Sequence, residues 1–167
     1  MDLYSHDGMI CVGGGLALAF VVMLSCGDVS TKNRPCSAPN IGLKNKCRQA
    51  RDKLKDLLDL LSGIIAAAAA KAIAKGKQFG RHHKHHIIAR GALAAAPARL
   101  VYVWLCQRDI DGEPNLVSIR DCVHYFLHNT AYYSTINLLI TGAYSASGIA
   151  GVDNMLERIK GVLKQYG

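Results

Sequence analysis

The sequence predicts an α+β fold that is rich in helices and contains two short strands. Three observations predict it: long segments with apolar residues every three or four positions, two short apolar segments near residues 85–88 and 115–119, and a sufficiently apolar composition. Half of the 167 residues are hydrophobic and 19% are charged, which excludes a disordered or collagen-like chain. The length suits one domain, or a small domain with an appended segment.

The chain is basic. It has 20 Lys and Arg against 12 Asp and Glu, a net charge of +8, and a pI near 9.3. Such a charge favours polyanionic partners: nucleic acid, an anionic membrane surface or an acidic protein. The six cysteines include no C-x-x-C pair, so their spacing does not predict a zinc knuckle, and it leaves the redox state open.

The first segment, residues 1–43, combines an apolar run with a linker. Residues 9–24 are uncharged but shorter than the roughly 20 residues of a typical membrane helix. No Lys or Arg precedes the run, which disfavours a signal peptide. A membrane-interacting or translocation segment and a buried hairpin both stay open. Turn-forming residues predict a linker over 27–43.

The next elements are mostly helical. Residues 44–80 predict a connecting helix with an apolar stripe, an alanine-rich continuation and an end at Gly76. A second helix is expected within the run from Ala92 to Cys106, and it is either interrupted by or starts near Pro97. After a turn at 112–115 and the second strand, Ser118 or Asp121 is expected to cap a helix that runs to about Leu139. A last helix covers about 152–164. The stripe of the first helix comprises Leu54, Leu57, Leu58, Leu61, Ile64 and Ile65.

Six of the seven histidines fall between residues 82 and 128. His124 and His128 are four residues apart, so on a helix both imidazoles project from one face and can bind one ion. His85 is the expected third ligand. Adjacent side chains of an extended segment point to opposite sides, so His86 stays free for chemistry. His82 and His83 are expected to be accessory.

These residue types suit phosphodiester hydrolysis, which needs a cation and a base that takes a proton from water. His86, with a reference pKa near 6.5, suits the second task, and Asn115 could hold the His86 loop in register. Each part also has a simpler interpretation. H-x-x-x-H is often two surface histidines, the adjacent pair could be a solvated basic patch, and Asn115 after Pro114 is typical of a turn.

The order of four motifs resembles the AHH family of toxin nucleases, a branch of the HNH/endonuclease VII superfamily, and more distantly the colicin-type HNH nucleases. The motifs are K-H-H-I-I-A at 84–89, A-A-P-A-R at 95–99, N-L-V-S-I at 115–119 and H-Y-F-L-H-N-T-A-Y-Y at 124–133. The resemblance covers roughly residues 82–166, about half of the chain. Lys84 stands where the family has the alanine of Ala-His-His.

The resemblance implies a ββα-metal (HNH-like) core in a nuclease domain spanning residues 81–167. It implies one divalent ion, Mg²⁺, Zn²⁺ or Ni²⁺, held by His85, His124 and His128. His86 would be the general base and Asn115 would orient its loop. Tyr132 and Tyr133 match a family motif and are interpreted as core packing. Four basic residues are expected to contact nucleic acid: Arg81, Lys84, Arg90 and Arg99.

The resulting hypothesis is a metal-dependent endonuclease toxin, delivered by a bacterium into the cytoplasm of a target cell, with DNA favoured over RNA. An acidic immunity protein is the expected partner, and residues 9–24 are a candidate membrane contact. The alternative is a non-enzymatic basic protein that associates with membranes and binds a metal through its histidines.

Overall fold

Two long helices and a two-stranded sheet make up most of the described chain. The computed structural model describes residues 41–76 and 81–166, so the predictions for the apolar run and for most of the linker fall outside the described residues. The α+β class, rich in helices with one small antiparallel sheet, is confirmed. The elements are α1 (Ile41–Ala74), β1 (His82–His86), α2 (Leu93–Leu105), β2 (Leu116–Arg120), α3 (Asp121–Leu127) and α4 (Thr130–Tyr166).

Helix α1 begins at Ile41, three residues before the predicted start at Lys44. Its buried positions recur every three or four residues, which places them on one face of the helix. Gly76, with φ of +61°, adopts the left-handed conformation just after the helix ends. The buried face comprises Leu58, Leu61, Ile65, Ala68 and Ala72.

The two strands pair antiparallel, with His85 opposite Val117 and His86 opposite Leu116. The first strand lies earlier than predicted, because Ile87 and Ile88 leave the sheet and are completely buried in the core. The amide of Asn115 pairs with the backbone of Ile88 in place of a strand partner.

The helix predicted from residue 118 or 121 to Leu139 is wrong, because the chain forms two helices there. Helix α3 ends at Leu127, and α4 begins at Thr130. Asn129 causes the break: its Oδ1 accepts a hydrogen bond from the backbone N–H of Tyr132 at 3.0 Å, the geometry of an N-cap. The N-cap residue of α3 is Arg120, which differs from the predicted Ser118 or Asp121.

Helix α4 extends through the region predicted to separate two helices, but it is interrupted at Ser147 and Gly148. Gly148 has a φ of +60°, which breaks the helical path between residues 130–146 and 149–166. Gly151 follows closely: a Cβ placed there would collide with the carbonyl oxygen of Ala143. The small residues at this point therefore allow the two halves of α4 to pack tightly.

The core lies where α1 packs against α4 and α3. Arg48–Ala74 and Thr130–Tyr166 are long and apolar enough to cross a membrane. One face of each is buried in the shared core, and core helices meet the same criterion, so this finding is weak evidence for a membrane span.

Candidate metal centre

One histidine of β1 and two histidines of α3 and its C-cap converge at one point. His85 lies on β1, His124 on α3 and His128 at the C-cap of α3. Each offers one ring nitrogen, and these three nitrogens lie within 4.8 Å of one another. The centroid of the His85 ring lies 5.1 Å from that of His124 and 5.6 Å from that of His128. The structure therefore brings together the three predicted ligands, in a group that could hold a metal ion.

The order of the elements explains this convergence. β2 pairs with β1 and continues without a loop into α3, so the first turn of α3 lies beside the start of β1, where the N–H of Asp121 donates to the carbonyl of Arg81. The Nε2 atoms of His124 and His128 are 3.0 Å apart. Two nitrogens bound at about 2.0–2.1 Å to one tetrahedral ion are separated by about 3.3 Å, so an ion would require only a small movement of these rings.

The hydroxyl group of a tyrosine determines which ring nitrogen of His85 carries the proton. The His85 side chain is only 1% exposed, and its Nε2 lies 2.9 Å from the hydroxyl oxygen of Tyr132. That hydroxyl donates its own hydrogen to the carbonyl of Ile87 at 3.2 Å, so it accepts from His85 Nε2–H. The Nδ1 of His85 then carries a lone pair, and among the described residues it has no hydrogen-bond partner. A buried lone pair without a partner fits a metal ligand.

A second tyrosine has the same relation to His128. The Nδ1 of His128 lies 2.7 Å from the hydroxyl oxygen of Tyr133. When Nδ1–H donates to that oxygen, the Nε2 that faces His124 has a free lone pair. Metal-binding histidines commonly donate their second N–H to a hydrogen-bond acceptor, which orients the ring and selects the tautomer. Adjacent tyrosines therefore orient two of the three candidate ligands.

The environment keeps the three imidazoles neutral. Burial, together with repulsion from His124, His128 and His86, lowers the pKa of His85 to about 3. Burial also lowers the pKa of His124, assisted by repulsion from His128 and His83, and burial lowers the pKa of His128. A metal ion binds only neutral imidazole, so the three lone pairs are available near neutral pH.

His86 lies on the other side of β1 and has a different partner. Its Nε2 is 2.8 Å from Oδ1 of Asp111, and its side chain is 28% exposed. Arg90 lies 3.6 Å from the second carboxylate oxygen of Asp111. When Asp111 accepts Nε2–H, the Nδ1 of His86 is left with its lone pair.

Asn115 joins the segment that follows His86 to the turn that carries Asp111. It is fully buried, and its Oδ1 accepts the N–H of Ile88 at 2.8 Å. Its Nδ2 donates to the carbonyl oxygens of Ile88 at 3.1 Å and Ile110 at 2.8 Å. One side chain thus fixes the backbone next to both members of the His86–Asp111 pair.

The predicted nucleic-acid contacts differ in their surroundings. Arg81 and Lys84 are exposed at β1, and the Arg90 side chain is 70% exposed. Arg99 is half-buried, and its guanidinium donates to the carbonyls of Ala89 and Ala92. Arg99 therefore holds a loop within the protein, and its contact with phosphate stays a prediction.

The remaining strand histidines lie at the edge of the site. His83 stacks on His124 with ring centroids 6.0 Å apart, and it lies 3.4 Å from the carboxylate of Asp121. His82 is exposed at the start of β1.

Sequence reasoning missed Asp111 and the hydrogen bonds that the two tyrosines make to His85 and His128. Asp111 lies in a turn-rich segment, where an acidic residue gives no signal of its own. Tyr132 was interpreted as core packing and is indeed buried, but its hydroxyl also orients His85. The signal that could have found both tyrosines is their position four and five residues after His128, since a ligand histidine needs an acceptor for its second nitrogen.

Comparisons with protein-family models, with curated proteins and with solved structures gave no match.

The three histidines could supply three neutral nitrogen donors to a metal ion. Three donors form an incomplete coordination sphere, which leaves positions for water or a substrate oxygen.

Proposed function

We propose that this chain is a metal-dependent nuclease that hydrolyses phosphodiester bonds of nucleic acid. In this proposal β1, β2 and α3 form a ββα-metal site of the HNH/endonuclease VII type. The observation that carries it is the combination of a three-histidine cluster with the adjacent His86–Asp111 hydrogen bond. The second feature supports catalysis, because a carboxylate that accepts from one nitrogen of His86 leaves the other nitrogen free to act as a base.

His85, His124 and His128 would hold one divalent ion. Three imidazole nitrogens favour Zn²⁺, Ni²⁺ or a similar transition metal, whereas Mg²⁺ prefers oxygen ligands. The bound ion supplies Lewis-acid stabilisation of the negative charge that develops on the phosphate and the leaving oxygen. The hydroxyls of Tyr132 and Tyr133 keep two of the ligand rings in the tautomer that presents a lone pair.

His86 acts as the general base in this proposal. Its Nε2–H is held by Asp111, so Nδ1 takes a proton from the attacking water. The Asp111 carboxylate stabilises the imidazolium that results, as in other carboxylate–histidine pairs. Asn115 keeps the two loops at a fixed separation through its three backbone hydrogen bonds.

The net charge of +8 supports a polyanionic substrate, with Arg81, Lys84 and Arg90 contacting phosphates. These contacts carry no sequence information, so cleavage is expected to be unspecific and sensitive to salt. The resemblance to toxin nucleases favours DNA over RNA, an acidic immunity protein as partner, and action inside a target cell.

The test is incubation of the purified chain with supercoiled plasmid and with total RNA, with chelator or with added Zn²⁺, Ni²⁺ or Mg²⁺. We expect degradation that chelator abolishes and that His86→Ala reduces by at least about 100-fold, the typical contribution of a general base. His82→Ala is the matched control, since it removes an exposed histidine from the same strand.

Folded, metal-loaded protein that cleaves neither polymer would contradict the nuclease proposal. Equal cleavage by the chain and by His86→Ala would contradict the assigned base. The first result would favour a metal-binding protein without catalysis, the alternative that the sequence left open.

A further inference from the structure

A groove of about 780 Å³ opens beside the candidate metal centre, between α1 and α3. Ile64 and Lys71 of α1 line one side, and Tyr125 and Phe126 of α3 line the other. His128 also lines it, so a candidate metal ligand forms part of the groove wall. The groove plays no part in the His86 chemistry described above.

We propose that this groove binds an unpaired nucleobase of the substrate, on the nucleotide next to the phosphate that is cleaved. The inference rests on the proposed nuclease function and adds to it the form of the substrate: a base that is unstacked from its neighbours and contacts Tyr125.

The aromatic wall is the first argument. The Tyr125 side chain is 73% exposed although it is large and partly apolar, and its ring lies edge-on to that of Phe126 with centroids 5.2 Å apart. Exposed aromatic rings bind bases of any sequence, because every base has a π-face. The groove is also large enough to admit a base, because ligand pockets commonly measure about 300–1,000 Å³.

Charge is the second argument. Lys71 is exposed at the groove and forms no ion pair with the described residues, and none of the lining residues is acidic. An ammonium group there attracts the phosphate that accompanies a base.

The groove also adjoins the candidate metal centre, because His128 belongs to both. A phosphate held at the metal centre would therefore place the adjoining nucleotide at the groove mouth.

The test measures binding of fluorescent oligothymidylate to the full chain in chelator, so that nothing is cleaved, followed by cleavage kinetics with metal. Tyr125→Ala should raise Kd and KM by about 5- to 100-fold, the range found when aromatic stacking on one base is removed. Tyr125→Phe keeps the ring and should restore tight binding.

Two controls separate stacking from charge. An oligonucleotide of the same length with abasic sugars should bind the chain more weakly than oligothymidylate, and Tyr125→Ala should not weaken it further. Lys71→Ala should reduce the dependence of Kd on salt, because one phosphate contact is lost. Lys55→Ala removes the same charge from an exposed position 16 residues away on α1 and should leave Kd unchanged.

The outcomes distinguish this inference from the nuclease proposal. If the chain cleaves nucleic acid with a Kd and KM that do not depend on Tyr125, the base-binding proposal is wrong and the nuclease proposal is unaffected. Tyr125-dependent binding without cleavage supports base binding in the groove, but it contradicts the nuclease and the placement of the base beside a cleaved phosphate. The base-binding proposal is also wrong if the chain does not bind oligothymidylate at low salt, or if it binds the abasic strand equally well.

Discussion

At the scale of single residues, the hydroxyl groups of Tyr132 and Tyr133 decide which nitrogen of a ligand histidine is free. The first accepts from His85 Nε2, and the second contacts His128 Nδ1. Without these partners either tautomer of each ring would be accessible, and the ion would have to select one of them. The two phenols therefore organise the donor set before an ion binds.

We expect Tyr132→Phe and Tyr133→Phe each to weaken metal binding by about 10- to 100-fold, the usual effect of removing such an orienting partner. Competition with a chromophoric chelator measures the affinity. Tyr144→Phe is the matched control, because it removes a phenol oxygen from α4 outside the cluster and should bind the ion normally. Unchanged affinity in both variants would show that the tyrosines only pack.

Asn115 is the second decisive residue, because it is the buried link between two loops. Asn115→Ala leaves the N–H of Ile88 and the carbonyls of Ile88 and Ile110 without their partner. Each unsatisfied buried group costs about 1–3 kcal/mol and three groups lose their partner, so we expect the free energy of unfolding to fall by about 3 kcal/mol or more. Urea denaturation measures it, with exposed Asn154→Ala as the control. A loss of stability as small as that of the control would contradict the stabilising role of the Asn115 hydrogen bonds.

At the scale of elements, breaks in helices place the site. The end of α3 at Leu127 leaves His128 at the C-cap, and the cap at Asn129 starts α4 so that Tyr132 and Tyr133 face the cluster. An uninterrupted helix would carry the two tyrosines further along its own axis. The broken path of α4 at Ser147 and Gly148 has a similar effect on the core, since it brings both halves of α4 close together.

Glycine substitutions test this break. Gly151→Ala should lower the free energy of unfolding, because the new methyl group collides with the Ala143 carbonyl oxygen and with Ser147. Gly161→Ala is the matched control on the same helix: nothing lies within 4 Å of its Cβ position. There the change should stabilise by about 0.5–1 kcal/mol, the helix-interior difference between glycine and alanine. Thermal melts that show the same sign for both variants would contradict the tight packing at the break.

The sequence predicted elements better than their ends. The period of α1 and the two short apolar segments predicted a helix-rich α+β fold. The i, i+4 spacing of His124 and His128, together with the adjacent His85–His86 pair, predicted the three clustered histidines. The break after Leu127 could not be predicted from periodicity, because Asn129 acts through one side-chain hydrogen bond. Asp111 could not be predicted either, since its approach to His86 depends on how Asn115 folds the intervening chain.

At the scale of the whole molecule, protonation of the three clustered histidines affects the free energy of unfolding. The pKa of His85 is about 3 in the folded chain against 6.5 for the free side chain, so the unfolded chain binds more protons between these values. Stability therefore rises with pH across this window and is lost as pH falls through it. The lowered pKa values of His124 and His128 act in the same direction.

For metal-free protein we expect the free energy of unfolding to decrease by about 2 kcal/mol or more between about pH 7 and 5, where histidines titrate and most carboxylates do not. Urea denaturation at several pH values measures it. His82→Ala, which removes an exposed histidine, should show the same slope. A stability that stays constant over this interval would contradict the burial of neutral imidazoles.

The most direct test of the central claim, that His85, His124 and His128 form one metal site, is calorimetric titration of the chelator-treated full chain with Zn²⁺. We expect one ion per chain, and we expect this binding to be lost in His85→Ala, His124→Ala and His128→Ala but not in His82→Ala. Binding that survives replacement of His124 or His128, or a folded chain that takes up no ion, would contradict it.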